Sequence, residues 1–97
     1  MGSYFSLDEA QLLVKAVPNP FNNQLSFVIS SNSQNTSRTD KAELYTIDGK
    51  LLYTQSIAGW TNNSRIQLRS IPRLANGMYV LKVHINNEIV NIKVVKQ

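Results

Sequence analysis

Apolar and polar residues alternate along most of this chain, with a period of two. From Gly77 to Ile85, Tyr79, Leu81, Val83 and Ile85 fall on one side of an extended backbone. Met78, Val80, Lys82 and His84 fall on the other. Successive side chains of a strand point to opposite faces, so this stretch predicts a strand with one wholly apolar and one mixed face. A second alternating run, Glu88 to Lys96, follows after Asn86-Asn87. Two such runs joined by two turn-forming residues predict a hairpin, taken here as the centre of the fold.

The rest of the chain is punctuated in the same way. Leu12 to Val17 is a short apolar run, expected as an edge strand. Pro18-Asn19-Pro20-Phe21 stops it. Each proline fixes its own φ and drives the preceding residue toward extended geometry, which makes a stiff bend and frees Phe21 to plug one end of a core. Gln24 to Ser30 sets Leu25, Phe27 and Ile29 on one face. Ser31 to Asp40 holds no apolar residue and reads as a loop. Lys41 to Ile47 puts Ala42 and Leu44 opposite Tyr45 and Ile47. Asp48-Gly49 then predicts a tight two-residue hairpin turn. Lys50 to Ile57 returns with Leu51, Tyr53 and Ile57 aligned. A loop around Gly59-Trp60 leads to a short strand at Arg65 to Leu68, with Ile66 and Leu68 inward. Ile71 and Leu74 are expected to cap the core on the way to Asn76-Gly77. No window sustains a helical period. Seven short strands with turn signals between them predict an all-β antiparallel sandwich.

Composition changes this picture little. The 97 residues suit one domain. Met1-Gly2-Ser3 looks like a cloning remnant, so residues 1–10 are expected to be tag or linker and 11–97 the domain. There is no Cys, which excludes disulfides and thiolate metal sites. No run approaches the roughly 20 apolar residues of a membrane-spanning helix. The net charge of +4 is uneven. Residues 1–49 carry three basic and five acidic side chains, and residues 50–97 carry seven basic and one acidic. These charges are spread singly along strands. They read as solvated strand faces, not as the clustered footprint of a nucleic-acid binder. Asn35-Thr36-Ser37 and Asn62-Asn63-Ser64 fit the glycosylation pattern, but both read more simply as Asn/Ser-rich loops.

Catalytic chemistry finds little to stand on. His84 is the only histidine, and no Ser stands in a strained-turn pattern that would make it a nucleophile beside a base. Asp8-Glu9 and Asp40/Glu43 are the close acidic pairs, expected to be solvated. The sequence holds no metal-ligand cluster and no Gly-rich phosphate loop, so no enzyme activity, cofactor or metal is expected. Tyr53 and Tyr79 fall on core faces by alternation. Trp60, in a Gly-flanked loop, is the one aromatic expected at the surface, where it could serve as a platform for a sugar ring.

Three motifs resemble a known family in order and spacing. They are Val17-Pro18-Asn19-Pro20-Phe21, Glu43-Leu44-Tyr45-Thr46-Ile47-Asp48-Gly49-Lys50 and Gly77-Met78-Tyr79-Val80-Leu81-Lys82-Val83. The following Asn91-Ile92-Lys93-Val94-Val95-Lys96 is similar to the basic final strand of the same family. This is the family of C-terminal sorting domains (type A) of type IX secretion system cargo proteins, and the resemblance covers residues 12–97. The chain departs from it in ending on Lys96-Gln97, where many relatives end on a basic residue.

The resemblance implies an immunoglobulin-like β-sandwich without catalysis, found on proteins exported by Bacteroidetes. It implies recognition by the type IX outer-membrane translocon and its shuttle proteins, with a cargo domain N-terminal to the sandwich. A sortase-like cysteine peptidase would then remove the domain, cutting near Tyr4 to Gln11, and could join the cargo to anionic lipopolysaccharide. The domain would pass through the periplasm to the cell surface or the medium. Pro18, Asn19, Pro20, Asp48, Gly49, Lys50, Gly77 and Tyr79 match the family motifs, with turn geometry and packing as their expected role. Lys82, Lys93, Val94, Val95 and Lys96 are the expected recognition residues, with the translocon pairing partly to the backbone of the final strand edge. An exposed edge could also pair with a second copy of itself. The alternative is a fibronectin-like adhesive or carbohydrate-binding spacer module that uses Trp60.

Overall fold

The computed structural model describes residues 12–31 and 38–97. The expected tag, the expected cleavage region and the Asn35 glycosylation pattern lie outside them. Seven strands run through the described residues: β1 (Leu12–Ala16), β2 (Ser26–Ser31), β3 (Lys41–Thr46), β4 (Leu51–Ser56), β5 (Arg65–Gln67), β6 (Gly77–Ile85) and β7 (Glu88–Lys96). They form a three-stranded sheet, β1-β2-β5, and a four-stranded sheet, β4-β3-β6-β7. Every strand pair is antiparallel. This division of strands is that of an immunoglobulin-like sandwich, with β6 in the place of its F strand.

Alternation decides which side chains meet between the sheets. Phe27 and Ile29 from β2, Ala42 and Leu44 from β3, and Leu81 and Val83 from β6 are fully buried. Phe21 and Leu25, outside the strands, are also fully buried, so Phe21 does plug the core. Tyr79 lies at the margin of the core near the start of β6, and its hydroxyl donates to the Ala75 carbonyl at 2.6 Å. That bond back to the preceding chain is the tyrosine corner of such sandwiches. Asn86 takes a positive φ of 50° in the two-residue turn between Ile85 and Glu88, as expected for the hairpin.

Four expectations need correction. The turn at Asp48-Gly49 holds three residues. Thr46 N–H donates to the Lys50 carbonyl at 2.9 Å and Gly49 N–H to the Thr46 carbonyl at 3.0 Å, with Gly49 at φ +98°. A turn over Ile47 and Asp48 followed by a left-handed glycine matches the twist of the strands as well as a two-residue turn does. Beyond it the register shifts, because Leu44 faces Tyr53 while Tyr45 faces Leu51. The extra residue, Leu52, breaks the period of two. Leu51 is therefore 47% exposed, and Leu52 packs on the core in its place.

Trp60 is 5% exposed, not a surface platform. Its indole N–H donates to Asp40 Oδ2 at 2.8 Å. Asp40 itself is 1% exposed, and its other oxygen accepts the Asn86 backbone N–H at 2.9 Å. The Asp40 carbonyl accepts Ile57 N–H. This one residue ties the start of β3, the Trp60 loop and the β6–β7 turn. Glu43 is buried as well, so the Asp40/Glu43 pair is not solvated. Buried carboxylates persist where every oxygen is hydrogen-bonded or paired, and both of these are.

Candidate recognition surface

The β6–β7 hairpin divides the five expected recognition residues between two faces. Val94 faces Tyr79 and is fully buried, so its side chain belongs to the core and presents nothing to a partner. Lys96 lies on the same side of β7, half-buried, with Nζ on the Gln97 carbonyl at 2.8 Å. Lys93 and Val95 stand on the opposite, outer face. Lys82 joins them from β6, where it is one step diagonal from Lys93 because Val80 is the residue opposite Lys93. Diagonal neighbours of this kind lie about 7–8 Å apart, so the two ammonium groups can reach one partner together.

The edge of β7 is closed along its second half. Val17–Pro18 and Asn19–Pro20 are both cis peptides, and the bend carries Asn19 out of the three-stranded sheet to the last strand of the other one. Asn19 Nδ2 donates to the Lys93 carbonyl at 3.2 Å, and Val95 N–H donates to Asn19 Oδ1 at 3.0 Å. One side-chain amide thus acts as a residue of a neighbouring strand would. Phe21 continues the pairing with its backbone, donating to the Val95 carbonyl at 2.8 Å and accepting Gln97 N–H at 2.8 Å. An incoming strand would have to displace this segment. By the same alternation the backbone groups of Ile89 and Asn91 also face outward, and among the described residues no loop or turn backbone bonds to them.

A second cluster occupies the outer face of β3 and β6. Glu43 Oε1 meets His84 Nε2 at 2.6 Å and accepts the Tyr45 hydroxyl at 3.1 Å, while Lys41 Nζ lies 3.6 Å from Oε2. Burial pushes the Glu43 carboxyl up, but the bonds from His84 and Tyr45 and the charges of His84 and Lys41 outweigh it. The net result is a pKa below the usual carboxylate range. Burial and the adjacent carboxylate push the Tyr45 hydroxyl up. Lys82 Nζ stands 4.7 Å from the centre of the Tyr45 ring. His84 therefore has a structural partner that sequence reasoning missed. The register supplies the missing signal, because β3 and β6 pair across a gap of 41 residues.

The remaining motif residues build turns. Thr46 Oγ1 donates to Asp48 and accepts Lys50 N–H at 2.9 Å. The bond from Thr46 holds the Asp48 carboxyl below its ordinary range. Gly77 opens β6 at φ +148°, a region that side-chain-bearing residues rarely enter. Pro18 and Pro20 flank the amide that closes β7. Among the described residues no group of His, Cys, Asp and Glu could hold a metal ion.

The family model of the secretion system C-terminal sorting domain matches residues 15–97. The chain belongs to this family. The match takes in the Asn19 segment, the Asp48-Gly49 turn and the whole β6–β7 hairpin. None of the curated proteins matches the chain. The family is that of type IX secretion and is not an enzyme family. Membership makes the sandwich a sorting domain. It implies interaction with the type IX machinery, an attached cargo part, and export to the cell surface or the medium.

Proposed function

We propose that this sorting domain directs a cargo protein fused ahead of it through the periplasm to the type IX outer-membrane translocon. There it is recognised as a folded sandwich. A sortase-like cysteine peptidase then cuts ahead of the folded part, near Tyr4 to Gln11. The observation that carries the reading is the family match over 15–97, which spans the clip, the turn and the hairpin together. The Cys-free core supports it, since such a domain folds by packing alone in any redox compartment. Lys82, Lys93 and Val95, gathered on one exposed face, are the residues read by the translocon; Lys96 lies apart from them. The carbohydrate-binding alternative loses its support, because Trp60 is buried on Asp40.

The test is an export assay. The full chain is fused to the C-terminus of a periplasmic fluorescent protein and expressed in a bacterium with and without a working type IX translocon. Fluorescence at the surface or in the medium that depends on the translocon is the expected result. A folded fusion that stays periplasmic in both strains overturns the reading. Truncating β7 is not a usable control, because it removes Val94 from the core.

A further inference from the structure

We infer that the outer face of the four-stranded sheet is the docking surface of this sorting domain. Its occupant is a protein of the export machinery whose complementary surface is apolar at its centre and carries carboxylates opposite Lys82 and Lys93. The inference rests on the sorting function proposed above and adds to it the surface and the chemistry of the partner.

Register brings the surface together. Tyr45 on β3 faces Leu51 on one side and Val80 on the other. Val80 faces Lys93, and beside them Met78 faces Val95. Leu51, Tyr45, Val80, Met78 and Val95 therefore form an apolar band from β4 to β7, with Lys93 opposite Val80 at its β7 end and the Lys82 ammonium 4.7 Å from the centre of the Tyr45 ring. Leu51 and Met78 at its ends are each 47% exposed. The bulge at Leu52 is what turns Leu51 outward into this band. The other sheet offers no equivalent. On its outer face Val28 lies between Lys15 and Arg65, and Leu13 faces Ser30, so apolar residues stand singly among polar ones. Scattered apolar residues are normal on a protein surface, whereas a contiguous band with a polar border marks an interaction site.

Charge identifies the occupant. Glu43, the acidic residue on this face, is buried and already engaged by His84, Lys41 and Tyr45. Lys93 stands at the β7 end of the band and Lys82 reaches over its Tyr45 ring, and neither forms an ion pair with a described carboxylate. Glu88 is the one acidic residue of the sequence from position 50 onward. The face therefore attracts carboxylates and repels basic surfaces. A membrane-binding patch needs a cluster of about four to eight basic side chains. Two lysines set against a contiguous apolar band fall short of that and fit a protein interface, where apolar contact and charge complementarity act together.

The test uses the export fusion with two matched charge reversals. K82E/K93E alters this face, and K15E/R65E makes the same change on the opposite sheet. Like charges brought together across an interface cost several kcal/mol, so translocon-dependent export should fall at least ~10-fold for the first pair. It should change less than ~2-fold for the second, with both shown to fold by circular dichroism. If K82E/K93E does not fold, K82Q/K93Q replaces it. Equal effects of the two pairs, or no effect of the first, overturn the surface while the exported wild-type fusion leaves the sorting function standing. A wild-type fusion that is not exported overturns both.

A second arm tests the chemistry on the unaltered chain. Carbodiimide, which joins lysine amines to carboxylates, is applied to the purified chain with detergent-solubilised translocon and, separately, with vesicles of anionic phospholipid. Cross-linked peptides that join Lys82 or Lys93 to Asp or Glu of a translocon protein support the proposal. Vesicle binding by the unaltered chain that K82Q/K93Q abolishes, without such peptides, overturns it in favour of a lipid surface.

Discussion

The two open sides of the sandwich are closed by the same chemistry, used in two ways. Between β1 and β7 the amide of Asn19 donates to the Lys93 carbonyl and accepts from Val95 N–H. Between β4 and β5 the amide of Gln55 donates to the Gln67 carbonyl at 3.1 Å and accepts Arg69 N–H at 2.8 Å. Each amide supplies one donor and one acceptor, the pair that a backbone residue of an adjacent strand would supply. Each blunts an edge that would otherwise be open to another chain. The supports behind them differ. Asn19 leads straight into Phe21, whose backbone continues the pairing and whose ring is fully buried. Gln55 is backed by the Tyr53 hydroxyl, which bonds both Gln55 and the Arg69 carbonyl. One side is held by a buried ring, the other by polar bonds at the surface. The buried ring makes the β7 side the more strongly tied of the two.

The largest effect that can test this contrast is Phe21→Ala. Loss of a buried Phe should lower stability by about 3–5 kcal/mol, read as the urea midpoint at constant slope. A loss under about 1 kcal/mol would mean that the ring does not anchor that side. The two amides come next. Asn19→Ala loses two hydrogen bonds of about 0.5–1.5 kcal/mol each and loosens the lead into the buried Phe21, so it should cost about 1–3 kcal/mol in all. Gln55→Ala should cost about 0.5–1.5 kcal/mol, since no fully buried ring stands behind its two bonds. Hydrogen exchange should quicken at Val95 in the first variant and at Arg69 in the second. Equal costs would break the comparison.

The smallest effect is one of pH, and it separates both sides from the face between them. Amides do not titrate, so Asn19→Ala and Gln55→Ala should lower the whole stability curve without changing its slope in acid. Glu43 does titrate. Its carboxyl lies below the usual range in the folded state, so its ionised form is favoured by folding. That contribution is complete above the ordinary glutamate pKa of about 4.3 and is lost as pH falls toward and through the depressed value. Glu43→Gln should therefore flatten the acid limb of stability measured from neutral pH downward. An unchanged acid limb would show that the His84–Glu43 contact carries no charge-dependent stability.

Some of these features are legible in the sequence alone. The alternation in Gly77–Ile85 and Glu88–Lys96 named the central hairpin, its turn and its buried face. Phe21 was legible as a core plug because two prolines stiffen the chain beside it. Asn19 stood out in its Pro-Asn-Pro setting, but as a turn residue. Nothing in the sequence distinguished Gln55 from any other polar residue on a strand. Trp60 was misjudged because its flanking glycine signals a loop, and a loop can still turn its ring inward when a buried carboxylate waits for the indole N–H. Leu51 and Leu52 exchanged faces because a single inserted residue reverses a period of two.

The sequence by itself determined the all-β class, the strand count, the inward residues of most strands and the excess of basic charge in the second half. Each of these depends on residues close together in the chain, where alternation and turn chemistry act directly. Tertiary structure alone decided that Asn19 closes the edge of a strand 74 residues away, that Glu43 is engaged by His84, and that Lys82 and Lys93 share a face from which Val94 and Lys96 are turned. Alternation reports the face on which a residue lies. It does not report which strand lies beside it, and that is settled only when the two sheets pack.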